Sequence, residues 1–310
     1  MMTWTALDIP PQQGRVAIVT GTGGLGYEDA LALARAGAEV ILAGRNAQKG
    51  AQAVAAIGEA VPRAALRFER LDLASLASVA DFVGRVGEQT RHLDLLINNA
   101  GIMVPPQREV SADGLELQLA TNYLGHFALT AGLMPLLQHA KNARVVTVSS
   151  IAARNGIIDL GDLNAERSYD PMRTYAQSKL ACLMFALELH RRSREGGWGV
   201  ASMAAHPGIS RTDLLHNAPG RRSIVGLSRS LFWFLFQPAS QGALPTLFAA
   251  TSPAAASGHY YGPSGMQEMR GVPAEAKIPP QALDADLAAR LWDMTAELVG
   301  TAPAPARRFD

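Results

Sequence analysis

Tyr175 and Lys179 stand four residues apart in a stretch, 172–194, whose spacing predicts a helix, so they share one face. A free tyrosine, with a pKa of ~10, is a poor base at neutral pH. An ammonium one turn away stabilises a phenolate and makes proton transfer at the hydroxyl available. Such a pair on an amphipathic helix ordinarily does no more than cover surface, so its company matters. A glycine-rich stretch, Thr20-Gly21-Thr22-Gly23-Gly24-Leu25-Gly26, follows an apolar run at 15–20 and precedes an Ala/Leu-rich helical stretch at 28–36. Glycines let backbone approach a pyrophosphate, and the helix start behind them offers free N–H groups and a positive dipole end. After the next apolar run, at 39–44, stands Arg45, where an acidic residue would bond a ribose 2′-hydroxyl. A guanidinium pairs bidentately with a 2′-phosphate instead, so NADP(H) is expected in preference to NAD(H).

These groups need a frame. The runs at 15–20, 39–44, 66–73, 94–101, 144–150 and 200–207 are continuously apolar over most of their length and do not alternate. They alternate with helical patterns at 47–60, at Leu76, Val79, Phe82, Val83 and Val86, and at about 113–139, 172–194 and 239–251. That is the signature of a parallel sheet covered by crossover helices on both faces. The fold class expected is α/β: a single-domain, Rossmann-type, doubly wound parallel sheet with helices on both faces. A last strand is expected at HYYGP (259–263) and a last amphipathic helix at about 281–299. Neither an internal repeat nor a shift in composition divides the chain, so residues 1–310 are read as one domain. In such a sheet, ligands bind beyond the carboxyl ends of the strands, where the glycine-rich and polar stretches lie.

Composition excludes several alternatives. With 48% apolar and 18% charged residues the chain has ample material for a core and does not read as disordered. Lys and Arg total 28 against 27 Asp and Glu, a net charge of +1 that gives no support to nucleic-acid binding. The one cysteine, Cys182, precludes an intramolecular disulfide, fits a reducing compartment and reads as a buried helix residue. One Cys and seven scattered His also make a zinc cluster a poor fit, and no metal is expected. The N-terminal residues lack the pattern of a signal peptide. The longest apolar cluster, 224–236, is interrupted by Ser228, Arg229 and Ser230 and falls short of the ~20 residues a membrane span needs. A cytoplasmic protein without a transmembrane segment is expected.

Six motifs in order carry a family resemblance. They are the Thr20–Gly26 stretch, Asp72-Leu73, Asn98-Asn99-Ala100-Gly101, Asn122 within ATNYLGHF, Ser150 with the Tyr175/Lys179 pair, and Pro207-Gly208-Ile209-Ser210-Arg211-Thr212. From about residue 14 to 300 the chain resembles the short-chain dehydrogenase/reductase family. Within it, the chain is similar to the retinol-dehydrogenase-like and protochlorophyllide-reductase-like group, through NYLGHFALT (122–130), YAQSKLACLMFALEL (175–189), AAHPG (204–208) and RLWDMTAELVG (290–300).

The resemblance implies a nicotinamide cofactor held by Gly21, Thr22, Gly24, Leu25 and Gly26 at the pyrophosphate, and by Asp72 and Leu73 at the adenine. Asn99, Ala100 and Gly101 would line it, and Pro207, Gly208 and Thr212 would lie at the nicotinamide. It implies Tyr175 as general acid/base, Lys179 tuning it and bonding the nicotinamide ribose, Ser150 orienting the reacting oxygen, and Asn122 holding a water that leads from Lys179 to solvent. The substrate is then a small-molecule carbonyl or alcohol. The aromatic run Leu231-Phe232-Trp233-Phe234-Leu235-Phe236, in a lid at about 208–237, favours a lipophilic or aromatic one. The same run would equally suit packing against the core or a homo-oligomer interface.

Plainer roles stand beside these. Ser150 would cap the loop after its strand, Asn122 would stabilise a helix kink, and His206, with no carboxylate partner apparent, would be structural. One departure from the family pattern is plain: the TGxxxGxG stretch is a residue short at Thr20–Gly26, which predicts a tighter or gapped phosphate turn, with either weaker pyrophosphate binding or a shifted helix start. Two further readings are a C=C reductase on the same fold and a non-catalytic NADP-binding sensor or scaffold. An epimerase fits less well, because Tyr27 occupies the place of that group's third glycine.

Overall fold

The computed structural model describes residues 4–210 and 237–304. Eight strands form one sheet in the order β3-β2-β1-β4-β5-β6-β7-β8. They are β1 (Val16–Thr20), β2 (Glu39–Gly44), β3 (Leu66–Arg70), β4 (Leu95–Asn98), β5 (Ala143–Val148), β6 (Val200–Ala205), β7 (Tyr260–Gly265) and β8 (Arg270–Glu275). The first seven pair in parallel, and β8 closes the edge antiparallel to β7.

The continuous apolar runs have the cause expected of them. Ile18, Ile41, Leu96 and Val145 face one core, while Val19, Leu42, Ile97 and Val146 face the other. The second core is covered by α1 (Leu25–Arg35), α2 (Ala47–Ala60) and α8 (Leu244–Thr251), the last preceded by the short α7 (Ala239–Gly242). The first is covered by α3 (Leu76–Gln89), by α5 (Gly125–His139), which follows a single turn α4 (Leu117–Leu119), by α6 (Pro171–Gly196) and by α9 (Ala285–Val299). From β1 the chain winds outward to β2 and β3, then returns to β4 on the other side of β1. That reversal opens the crevice where ligands of this architecture bind.

Three local differences from the sequence reading have physical causes. The stretch 113–139 is not one helix. Between α4 and α5 lies a π turn, Ala120–Leu124, closed by the Gly125 N–H on the Ala120 carbonyl. β8 is absent from the sequence reading because RGVPAE carries a proline and little apolar character, both of which an edge strand tolerates. Helix α1 starts at Leu25, ahead of the expected 28, because Gly24 takes up the tightened turn. Pro171 begins α6 behind Asp170, whose carboxylate accepts the Arg173 N–H at 2.7 Å, and left-handed Gly197 ends it. Trp292 of α9 packs on Phe127 and Phe185, with ring centres 4.8 and 5.7 Å away, and fixes α6 from outside. Each such pair adds ~1 kcal/mol beyond burial. Among the described residues no helix is long and apolar enough to cross a membrane, and no cluster of His, Cys, Asp and Glu could hold a metal ion.

Candidate active site

At the end of β1 the chain turns through Gly21, with φ 98°, to Gly24, with φ 53° and ψ −122°, a conformation only glycine adopts freely. Gly24 caps α1 without a side-chain bond, and no side chain among the described residues hydrogen-bonds the N–H groups of the first turn. Gly26 lies so close to the start of the turn that a Cβ there would stand 2.3 Å from the Gly21 carbonyl oxygen. The one-residue shortening is thus absorbed by backbone contact, and the turn still delivers a helix start to the strand ends. This is a cradle that fits a pyrophosphate.

Thr22 leans on the end of β2, where a Cβ on Gly44 would be 2.9 Å from its methyl group. Arg45 follows directly, exposed and in no ion pair among the described residues. Asp72 and Leu73 follow β3. The Asp72 carboxylate accepts the Ala74 N–H at 3.0 Å and Leu73 is buried, so the pair shapes the turn beside the crevice.

Thr20 joins β1 to the turn after β4. Its hydroxyl accepts the N–H groups of Asn99 and Ala100, both at 2.9 Å, and its carbonyl accepts the Asn99 amide at 2.8 Å. The same hydroxyl meets His126 Nε2 at 2.9 Å, and His126 Nδ1 meets the Asn122 carbonyl at 2.9 Å. A carbonyl only accepts, so Nδ1 carries the proton, and Thr20 then donates to Nε2. Burial holds this imidazole neutral, lowering its pKa to about 4. His126 was not singled out from the sequence. Its signal was present: a histidine four residues beyond Asn122 within an otherwise apolar helix.

Asn122 lies in the π turn, buried. Its Oδ1 accepts the Ile102 N–H at 2.8 Å, and its amide donates to the Ile102 carbonyl at 3.0 Å and to Ser178 Oγ at 2.9 Å. Ser178 in turn donates to the Tyr175 carbonyl at 2.8 Å. The Asn122 carbonyl already accepts Cys182 Sγ, at 3.1 Å, besides His126. Asn122 therefore braces the loop after β4 against α6, and its polar atoms all have protein partners. Cys182 is buried, as read from the sequence, and burial pushes its thiol pKa up.

Lys179 is buried, and its ammonium donates to the Val148 carbonyl at 3.0 Å. Ser149 donates to the Lys179 carbonyl at 2.7 Å. This double tie brings one turn of α6 to the end of β5. Gly101 crosses beside it, where a Cβ would be 2.9 Å from Asn122 Oδ1 and 3.4 Å from Lys179 Nζ. Tyr175, one turn earlier on α6, is buried, and its hydroxyl makes no hydrogen bond to a described residue. Ser150 caps the 3-10 turn Ile151–Asn155 through the Ala152 N–H at 3.2 Å, and that turn packs on α6.

After β6 come Pro207 and Gly208. The Pro207 carbonyl accepts Ser210 Oγ at 2.7 Å and the Gln237 amide at 2.6 Å. His206, expected to lack a carboxylate partner, has one: Glu268 Oε2 lies 2.9 Å from its Nε2. The partner comes from the β7–β8 turn, 62 residues on, a distance that local sequence pattern does not span. Thr212, most of the 208–237 lid and its aromatic run lie outside the described residues.

Comparison with known proteins places the chain in a family. The family model described as short chain dehydrogenase matches residues 15–222. The chain belongs to the short-chain dehydrogenase family. It is 38% identical to a mouse polyprenol dehydrogenase over 94% of this chain and 86% of that protein. It is also 38% identical to mouse retinol dehydrogenase 13, over 94% and 85% of the two chains. An uncharacterized protein from Mycobacterium paratuberculosis superposes with a TM-score of 0.81 at 37% identity, over 98% of this chain and all of that one. Membership makes this protein a nicotinamide-dependent oxidoreductase of small molecules. The glycine turn, the open N-terminus of α1 and the Thr20–Asn99 cross-tie are the features of the chain that fit such a cofactor.

Proposed function

We propose that the protein interconverts a lipophilic carbonyl compound and its alcohol using NADP(H), with Tyr175 as general acid/base. The observation that carries this reading is the convergence on one turn of α6. Tyr175 is a buried residue whose hydroxyl makes no hydrogen bond to a described residue, and the Lys179 ammonium stands one turn on, held at the end of β5. The bound dinucleotide supplies or accepts the hydride. Lys179 stabilises negative charge on the Tyr175 oxygen, Tyr175 gives a proton to the carbonyl oxygen in reduction and takes it back in oxidation, and Ser150 hydrogen-bonds that oxygen. Asn122 and Ser178 hold the Tyr175 turn and the loop after β4 in mutual register.

NADP(H) over NAD(H) rests on Arg45, exposed just after β2 and in no ion pair with a described residue. The lipophilic substrate is supported by relatives named for retinol and polyprenol, and by the apolar run in the lid segment. The test is a fluorescence titration with NADPH and, separately, NADH, followed by product analysis on lipophilic aldehydes, ketones and one enone. Tighter NADPH binding and an alcohol product support the reading. A saturated ketone from the enone would move the chemistry to C=C reduction. Cofactor binding without turnover on any of them would favour a sensor.

A further inference from the structure

The turn between β7 and β8 is unusual in its backbone. Met266, Gln267 and Glu268 take φ values of 47°, 58° and 67°, three successive left-handed residues, none of them glycine. L-residues adopt that region at a cost, and a run of them persists only where the surroundings over-determine it. Here they do. The Glu268 carboxylate accepts His206 Nε2 at 2.9 Å, an Arg154 guanidinium nitrogen at 2.6 Å and the Lys277 N–H at 3.0 Å. Arg154 also donates to the Gln267 carbonyl at 3.1 Å.

Two of these partners, His206 and Arg154, lead into the site. His206 is 1% exposed, and its Nδ1 accepts the Gly208 N–H at 3.2 Å, so the imidazole proton sits on Nε2 and points at Glu268. Gly208 is left-handed, and a Cβ on it would stand 2.3 Å from the Met269 carbonyl oxygen. That same carbonyl accepts the Ile209 N–H at 2.8 Å. Arg154 belongs to the 3-10 turn that Ser150 caps. The structure therefore ties the Pro207–Gly208 turn and the Ser150 turn to a single carboxylate.

We propose that Glu268 is a positioning residue for the nicotinamide end of the site, holding the Pro207–Gly208 and Ser150 turns in register through His206 and Arg154. An ordinary exposed ion pair would contribute little. This one differs because its histidine arm is buried and hydrogen-bonds the backbone of the turn it positions. The inference rests on the proposed cofactor reading, and the experiment separates the two.

The affinities of NADPH and of 2′,5′-ADP, which lacks the nicotinamide half, are measured for the native protein, Glu268→Ala and Glu268→Gln, with Tm for each. Glu268→Ala is expected to weaken NADPH about tenfold while 2′,5′-ADP stays within about twofold. Turnover should fall by one to two orders of magnitude, roughly what a misplaced reacting group costs. Glu268→Gln keeps the His206 bond and the side-chain volume, and is expected to recover part of both losses. Equal weakening of the two ligands, or no change in either, overturns the proposal while leaving the cofactor reading intact. Failure of the native protein to bind NADPH overturns both.

Discussion

The two halves of the crevice are built by different means. From β1 to β3 the site is mostly backbone, a glycine turn and the open start of α1, with Arg45 at a strand end, all within a short stretch of chain. From β4 to β8 it is side chains that meet across long sequence distances. Asn122 reaches Ser178 and Glu268 reaches His206, with separations of 56 and 62 residues, and His126 reaches across to Thr20 of β1, 106 residues away. A backbone cradle needs only the permissive residue at each point. A cradle of side chains needs every partner present, since a buried group left unpaired costs its full desolvation. The first half should therefore fail at single points of close approach, and the second through losses that propagate along hydrogen bonds.

The largest expected effect lies on the side-chain half. Tyr175→Phe should lower turnover by roughly 10²–10⁴-fold, the span of general acid–base catalysis, and leave NADPH affinity nearly unchanged. Steady-state kinetics beside a cofactor titration would show it, and near-native turnover would remove Tyr175 from the role.

Next is the pH response carried by His126. Its folded pKa of about 4 lies below the unfolded value near 6.5. Between those values the unfolded chain binds more protons, so stability falls as pH drops from 6.5 to 4, by on the order of 3 kcal/mol for this group. Denaturant titrations of the native protein and His126→Phe across that window should give a shallower slope for the variant, and equal slopes would contradict the assignment.

Third is the backbone half. Gly26→Ala drives a Cβ against the Gly21 carbonyl, and overpacking of that kind costs about 1–3 kcal/mol. It should weaken NADPH and 2′,5′-ADP alike, the opposite of the pattern expected for Glu268→Ala. The smallest effect is expected of Arg45→Ala: NADPH weakened about tenfold with NADH unchanged. Unaltered discrimination between the two would place 2′-phosphate selection elsewhere.

Legibility followed the same division. The β1 to β6 framework, the helices over both faces and the glycine turn can be read from apolar periodicity and local spacing, because each is a short-range pattern. The π turn at Ala120–Leu124 was legible only as a kink at Asn122, since its form lies hidden inside a continuous helical pattern. Strand β8 could not be read, because an edge strand needs no apolar face. His206 shows the limit most clearly. Its burial was foreseeable from its place at a strand end, but Glu268 was invisible as a partner because a turn 62 residues away brings it there.

The sequence by itself determined the fold class, the family, and the residue types at the candidate site, because periodicity, glycine placement and motif order are properties of the chain. The tertiary structure alone decided which of those residues touch. Asn122 became a brace between Ile102 and Ser178, Lys179 was held on the Val148 carbonyl, and His126 and Glu268 entered the site. The physical reason is one of range. A hydrogen bond needs its partners within about 3 Å. Across such separations, only the packed sheet and helices bring them that close.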